Sequence, residues 1–310
     1  MRIGYPCINL SLSCRPSRTF RLQNLTWERL RETLAGNLDC LEEIVRWNAA
    51  HGLLFLRITS DLVPLASHPK NRFPWGEAFA ERFAEIGALI RRFGMRISMH
   101  PGQYTLLNSP RRAVVEAARA DLAYHARVLE LLGLDRTAKI QIHVGGVYGD
   151  KERAMARFLR AVDALPLSVR ERLVIENDER FYTLTDVLRL HRESGLPVVF
   201  DVFHHELNPD GRSIAEALAA QTETWAPEDG LPIVDYSSPL PGGRHGSHAR
   251  KLDEAHFLRF LKESRPYDFD LMLEVKDKER SALRALALAG DDSRLVATLP
   301  APRSQRETAR

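Results

Sequence analysis

Cysteine is scarce in this chain: three in 310 residues, Cys7, Cys14 and Cys40. An odd number cannot all pair, and their spacing is not that of a zinc ribbon, so a reducing compartment is expected. No run of eighteen apolar residues occurs, which excludes a predicted membrane-spanning helix. The start, Met1-Arg2-Ile3-Gly4-Tyr5-Pro6, lacks the apolar stretch and small-residue cleavage site of a secretory signal. A cytoplasmic protein is expected by elimination. Charge of one sign is not in large excess: 44 basic against 41 acidic residues leave +3, and the basic side is overwhelmingly arginine. That balance permits a phosphate-bearing partner without demonstrating one. At 8% the aromatics do not dominate, whereas 44% hydrophobic and 27% charged residues exclude a disordered chain.

Short apolar, β-rich runs recur at 2–7, 53–59, 96–100, 139–144, 173–177, 197–202, 231–236 and 269–275. Stretches of helical periodicity separate them, at 27–48, 76–93, 111–132, 151–164, 184–193, 214–220, 252–262 and 279–288. Eight alternations in a chain of this length predict an α/β protein, a single (β/α)8 TIM barrel, which needs about 250 residues plus insertions. An open doubly wound sheet has the same local signature. Its dinucleotide fingerprint is missing, since Gly145-Gly146-Val147-Tyr148-Gly149 has the wrong spacing, and no nucleotide cofactor is expected. One domain over residues 1–296 is expected, followed by a flexible tail at 297–310 with almost nothing to bury.

Chemistry gathers at the strand ends. His100, His143, Glu176, Asp201 and Glu274 lie at or near the ends of five runs, with His204 and His205 just beyond the sixth. His68 follows the second run, and His245 and His248 follow the seventh. In a barrel these ends share one face, the C-terminal face where active sites form. Imidazoles and carboxylates ligate Mn²⁺, Zn²⁺ or iron, and crowded carboxylates need cations to offset their repulsion. A ring this large suggests about two or three ions, a set suited to phosphodiester hydrolysis. Any one of these side chains could instead cap a backbone group; their recurrence at equivalent positions favours a shared site. Asp178 could orient a histidine, and Glu179 could belong to a solvated turn. His125, His191 and His256 lie in helical stretches and read as structural or surface residues. Pro101-Gly102 is a turn signal that would present Gln103 and Tyr104 beside the ring, where an amide and an aromatic can enter a base stack. Tyr5 and Asn9 could line the same cleft, and arginines and lysines of the upper loops could meet phosphates.

The runs Gly4-Tyr5-Pro6-Cys7-Ile8-Asn9-Leu10, Arg57-Ile58-Thr59-Ser60-Asp61-Leu62-Val63-Pro64, His100-Pro101-Gly102-Gln103-Tyr104, Ile142-His143-Val144-Gly145-Gly146, Glu176-Asn177-Asp178 and Asp201-Val202-Phe203-His204-His205 occur in this order. With them the chain resembles the UV damage endonuclease family (UVDE or UvsE), related to endonuclease IV-like barrels, over roughly residues 2–290. The resemblance implies a DNA repair nuclease that binds divalent metal, manganese in most members. Such enzymes cut the phosphodiester immediately 5′ to cyclobutane pyrimidine dimers and 6-4 photoproducts in duplex DNA; some also accept abasic sites. It implies metal ligands at His68, His100, His143, Glu176, Asp201, His204, His248 and Glu274, with Glu176, Glu274 and Lys151 in the catalytic machinery. Gln103 and Tyr104 would probe the gap opposite the lesion, and Tyr5 and Asn9 would contact damaged nucleotides. The implied partner is damaged double-stranded DNA, bound by a monomer away from any membrane.

One departure stands out. The family pattern after the seventh strand is Lys, one residue, then His, and here Val234 and Tyr236 are read at those places. Asp235 would then alternate to the other face. One metal position is therefore expected to be weaker, empty or differently built. Rival readings are a sugar or sugar-phosphate isomerase on the same barrel, and a damaged-DNA binding protein without catalysis.

Overall fold

The computed structural model describes residues 1–240, 242–244 and 246–296. The expected tail at 297–310 and His245 lie outside the described residues.

Eight parallel strands close in sequence order into a barrel. The chain runs β1 (Ile3–Pro6), α1 (Trp27–Ala50), β2 (Phe55–Ile58), α2 (Trp75–Ala78), α3 (Ala80–Arg92), β3 (Arg96–Met99), α4 (Arg112–Leu131), β4 (Lys139–His143) and α5 (Lys151–Asp163). It continues with α6 (Leu167–Arg170), β5 (Leu173–Glu176), α7 (Leu184–Ser194), β6 (Val198–Asp201), α8 (Val202–Leu207), α9 (Ile214–Thr222), β7 (Ile233–Tyr236), α10 (Glu254–Glu263), β8 (Asp270–Leu273) and α11 (Glu279–Leu288). All eight expected strands form, each within its apolar run. The expected helix at 76–93 is divided at Phe79, and the short α6 and α8 are not legible as helices in the sequence. Caps set several starts: α7 and α9 carry capping boxes, Thr183 with Asp186 and Ser213 with Glu216.

Strand alternation sorts the side chains. The helix-facing residues join the main apolar core, whereas Phe55, Val174, Val199, Ile233 and Met272 pack together inside the barrel. The first strand needs its glycine, because a Cβ on Gly4 would lie 2.0 Å from the Phe55 carbonyl oxygen.

The cysteine expectation is corrected. Cys14, in the loop after β1, forms a disulfide with Cys40 of α1, leaving Cys7 as the free thiol. The loop folds back over the helix and brings the two Cα atoms within 5.6 Å, a contact that spacing alone does not reveal. Cysteine usage thus no longer argues for a reducing compartment. Among the described residues no helix is long and apolar enough to cross a membrane.

Candidate metal centre

Two residues beyond the inner apolar layer, the next inward positions of the same strands carry Arg57, Glu176, Asp201, Asp235 and Glu274. A period of two along each strand turns five buried hydrophobes into a charged ring one layer higher. Glu176 is its hub. His100 Nε2 lies 3.3 Å and His143 Nε2 3.7 Å from Glu176 Oε2, and His204 Nδ1 lies 3.0 Å from Oε1. Ligand atoms of His100, His143 and Glu176 lie within 4.8 Å of one another, as do those of Glu176, Asp201 and His204. On the far side His248 Nε2 stands 3.9 Å from Glu274 Oε2, its ring 5.0 Å from that of Phe203.

The spacing of Asp201 and His204 works through α8. Asp201 caps this helix, its Oδ1 accepting from the His204 backbone N–H at 2.8 Å, so the first turn folds His204 back over the strand end. His204 Nδ1 lies 3.0 Å from the Asn177 carbonyl, the kind of outer contact that orients a ligating imidazole.

The electrostatics ask for cations. Burial, reinforced by the Glu176, Glu274 and Asp235 carboxylates, pushes Asp201 well above the usual carboxylate range despite neighbouring His204. Asp201 Oδ2 is buried without a hydrogen-bond partner. Against the penalty of burial, His143, His100 and His204 hold Glu176 well below its ordinary value. Burial lowers His143 and His248, favouring neutral rings able to ligate. His204 is buried too, but Asp201 and Glu176 raise it to about 11. These donors fit divalent cations: imidazole and carboxylate together, one buried carboxylate oxygen without a hydrogen bond, and negative charge gathered in one ring.

Other expected residues fall elsewhere. His68 stays in the loop after β2, its Nδ1 accepting from the Lys70 backbone N–H, outside both ligand groups. Lys151 pairs with Asp186 and sits 5.3 Å from the centre of the Tyr182 ring, rather than bonding to the ring of ligands. His205 is buried with its Nε2 at the Arg212 carbonyl and its ring against Phe200. Asp178 accepts from the backbone N–H groups of Arg180 and Phe181 and so shapes the turn beside His143; burial raises its carboxyl. Glu179 is not simply solvated, since its Oε2 is 3.8 Å from His204 Nε2. Arg15, an arginine of the loop after β1, spends Nη1 on the carbonyls of Asn9, Leu12 and Cys14.

Tyr5 and Asn9 are buried. Tyr5 donates its hydroxyl to Asn48 Oδ1 at 2.7 Å and accepts from Asn9 Nδ2 at 2.9 Å. Alternation turns Tyr5 toward Leu53 and Ala282 on the helix side, so direct contact with a nucleotide is not available in this arrangement. Gln103 and Tyr104 are presented: Tyr104 is 78% exposed, and Gln103 lines a cleft with His100, His143 and Asp178.

The seventh strand needs correction. Val234 and Tyr236 face outward, where Tyr236 packs on Phe257 and Phe260 and its hydroxyl meets His256 Nδ1 at 2.6 Å. The inward residues are Ile233 and Asp235. The inward pair is thus neither lysine nor histidine, and Val234 and Tyr236, the residues expected in the ring, lie outside it. Asp235 accepts from Arg57 Nη2 at 2.9 and 2.8 Å and from Gln141 Nε2 at 2.6 Å. Sequence reasoning did not single out Arg57 or Gln141 as part of the site. The signal was there: each is a polar residue between apolar neighbours in a barrel strand, Leu56-Arg57-Ile58 and Ile140-Gln141-Ile142.

The profile of the family described as UV-endonuclease UvdE matches residues 1–296. The chain belongs to this family. A UV DNA damage endonuclease of Clostridium perfringens (strain 13 / Type A) is 37% identical over 288 residues, covering 92% of this chain and 70% of that protein. One from Bacillus thuringiensis subsp. konkukian (strain 97-27) is 34% identical over 294 residues, covering 92% and 93%. The crystal structure of SacUVDE superposes with a TM-score of 0.89 at 42% identity, covering 94% of this chain and 98% of that one. In this UvdE family member, the ring of imidazoles and carboxylates stands where the barrel opens.

Proposed function

We propose that this chain is a divalent-metal-dependent endonuclease of UV-damaged duplex DNA that opens excision repair by hydrolysing the phosphodiester immediately 5′ to the lesion. Membership of the UvdE family supports the activity. The observation that carries the metal chemistry is the convergence of His100, His143, Glu176, Asp201 and His204, with Asp201 Oδ2 buried and without a hydrogen bond. His100, His143 and Glu176 would hold one ion, and Glu176, Asp201 and His204 a second. We assign manganese, which this mixed imidazole and carboxylate set accepts. Bound divalent cations supply electrophilic stabilisation of charge on the phosphate and on the departing 3′-oxygen.

The chain's own residues do the rest. The Asn177 carbonyl steadies His204, and Asp178 shapes the turn that frames the cleft. Tyr104 and Gln103 enter the stack opposite the extruded lesion, replacing part of the stacking that is lost. A damaged step is already poorly stacked, which lowers the cost of opening by about a few kcal/mol, so deformability selects the substrate more than base sequence does. Cyclobutane dimers and 6-4 photoproducts are the assigned lesions, with abasic sites as further substrates. The work is done by a monomer at the nucleoid, with no nucleotide cofactor. Lys151, held by Asp186, is left out of this assignment.

The test is a nicking assay on irradiated and undamaged duplexes, with Mn²⁺ or with chelator. Incision beside lesions only, and only with metal, is expected. Lesion binding without incision would make the chain a damage-binding protein, and turnover of a small sugar without incision would make it an isomerase.

A further inference from the structure

Resting on the metal reading above, one feature of the ring goes beyond it. Arg57 projects from β2 into the barrel with its side chain 3% exposed, at the level where ions would sit. Its guanidinium binds both oxygens of Asp235 through Nη2 and pairs with Glu274 Oε1 through Nη1. Gln141 closes the arrangement, its amide nitrogen lying 2.6 Å from both Asp235 Oδ2 and Glu176 Oε2, and its Oε1 accepting from Arg57 Nη2 at 2.9 Å. Both oxygens of Asp235 thus accept from side-chain donors, whereas Asp201 Oδ2 makes no hydrogen bond and has only His204 Nδ1 near it, at 3.4 Å. Ile233, the inward neighbour below, offers no donor atom at all.

We propose that Arg57 is a built-in cation that takes the place of an ion on the seventh- and eighth-strand side of the ring, limiting this protein to two divalent ions that share Glu176. Four carboxylates face the ring: Glu176, Asp201, Asp235 and Glu274. Two divalent ions and one guanidinium offset them and leave net positive charge for a phosphate. A third divalent ion beside Arg57 would meet a fixed like charge in a buried site, and Arg does not lose its proton to make room. The same contacts make Arg57 a positioning residue for Glu274, one of whose oxygens it pairs with while the other faces His248.

The test counts ions. The purified chain is equilibrated with Mn²⁺ and its bound metal measured by mass spectrometry and by titration calorimetry. Two ions per chain are expected; three overturn the proposal and leave the endonuclease reading standing, whereas none overturns both. Glu274→Gln is expected to keep two ions, and Glu176→Gln to lose at least one. Loss of an ion from Glu274→Gln overturns the proposal. Arg57→Gln, where it folds, is expected to admit a third ion; if it folds and still binds two, the proposal fails. Should that variant not fold, the Glu274→Gln count decides.

Discussion

Asn177 grips Asp201 by both backbone groups. Its Nδ2 donates to the Asp201 carbonyl at 3.0 Å, and its Oδ1 accepts from the Asp201 N–H at 2.9 Å. One buried amide thereby joins the ends of β5 and β6, and its own carbonyl steadies His204. The expected cost of Asn177→Ala is about 2–3 kcal/mol of stability, from two buried hydrogen bonds lost and their partners stranded. Mn²⁺ affinity should fall about 10- to 100-fold, as for other residues that orient ligands. Urea unfolding and calorimetry on the same variant check the two effects. Unchanged metal affinity would remove Asn177 from the site's support.

Tyr104 sits at the other extreme, exposed and free of the core. Tyr104→Ala should leave the melting temperature unchanged and weaken binding to irradiated duplex about 10- to 100-fold, the equivalent of about 1–3 kcal/mol of stacking. Binding to undamaged duplex should change much less. Equal losses on both duplexes would show that Tyr104 adds general affinity and does not probe lesions.

The Arg57–Asp235 pair is buried on both sides, with side chains 3% and 0% exposed. Removing Asp235 takes one of two carboxylates from the buried guanidinium and leaves it Glu274 and Gln141. Asp235→Ala is therefore expected to destabilise the chain by about 1–3 kcal/mol, measured by denaturant unfolding of the metal-free protein. A change below about 1 kcal/mol would mean that water or another carboxylate takes over Arg57.

Far from the ring, Arg294 hydrogen-bonds Asp292 and lowers its carboxyl from 3.8 to about 2, while its other donors reach the carbonyls of Leu261 and Tyr267. A carboxylate depressed in the folded state contributes stability above its unfolded value and loses it as pH falls through the folded one. The contribution of Asp292 should thus be complete above about pH 4 and vanish between about pH 4 and 2. Asp292→Asn should be less stable by about 1–2 kcal/mol at pH 7, with the two stability curves meeting near pH 2. A difference that persists below about pH 2 would assign the loss to packing instead.

Much of this protein was determined by local sequence. Alternating apolar runs and helical stripes specify eight strands and their covering helices, because periodicity is a property of neighbouring residues. The ends of those runs located His100, His143, Glu176, Asp201 and His204 on one face, since closing a barrel leaves them nowhere else to meet. Tertiary structure alone decided which side of a strand faces in. Alternation by itself admits Val234 and Tyr236 as the inward pair, whereas packing against α10 holds Tyr236 outside and points Asp235 at Arg57, 178 residues away in sequence. Tyr5 and the Cys14–Cys40 bridge follow the same rule: burial and pairing depend on elements distant in the chain, and no local pattern encodes which of them will arrive.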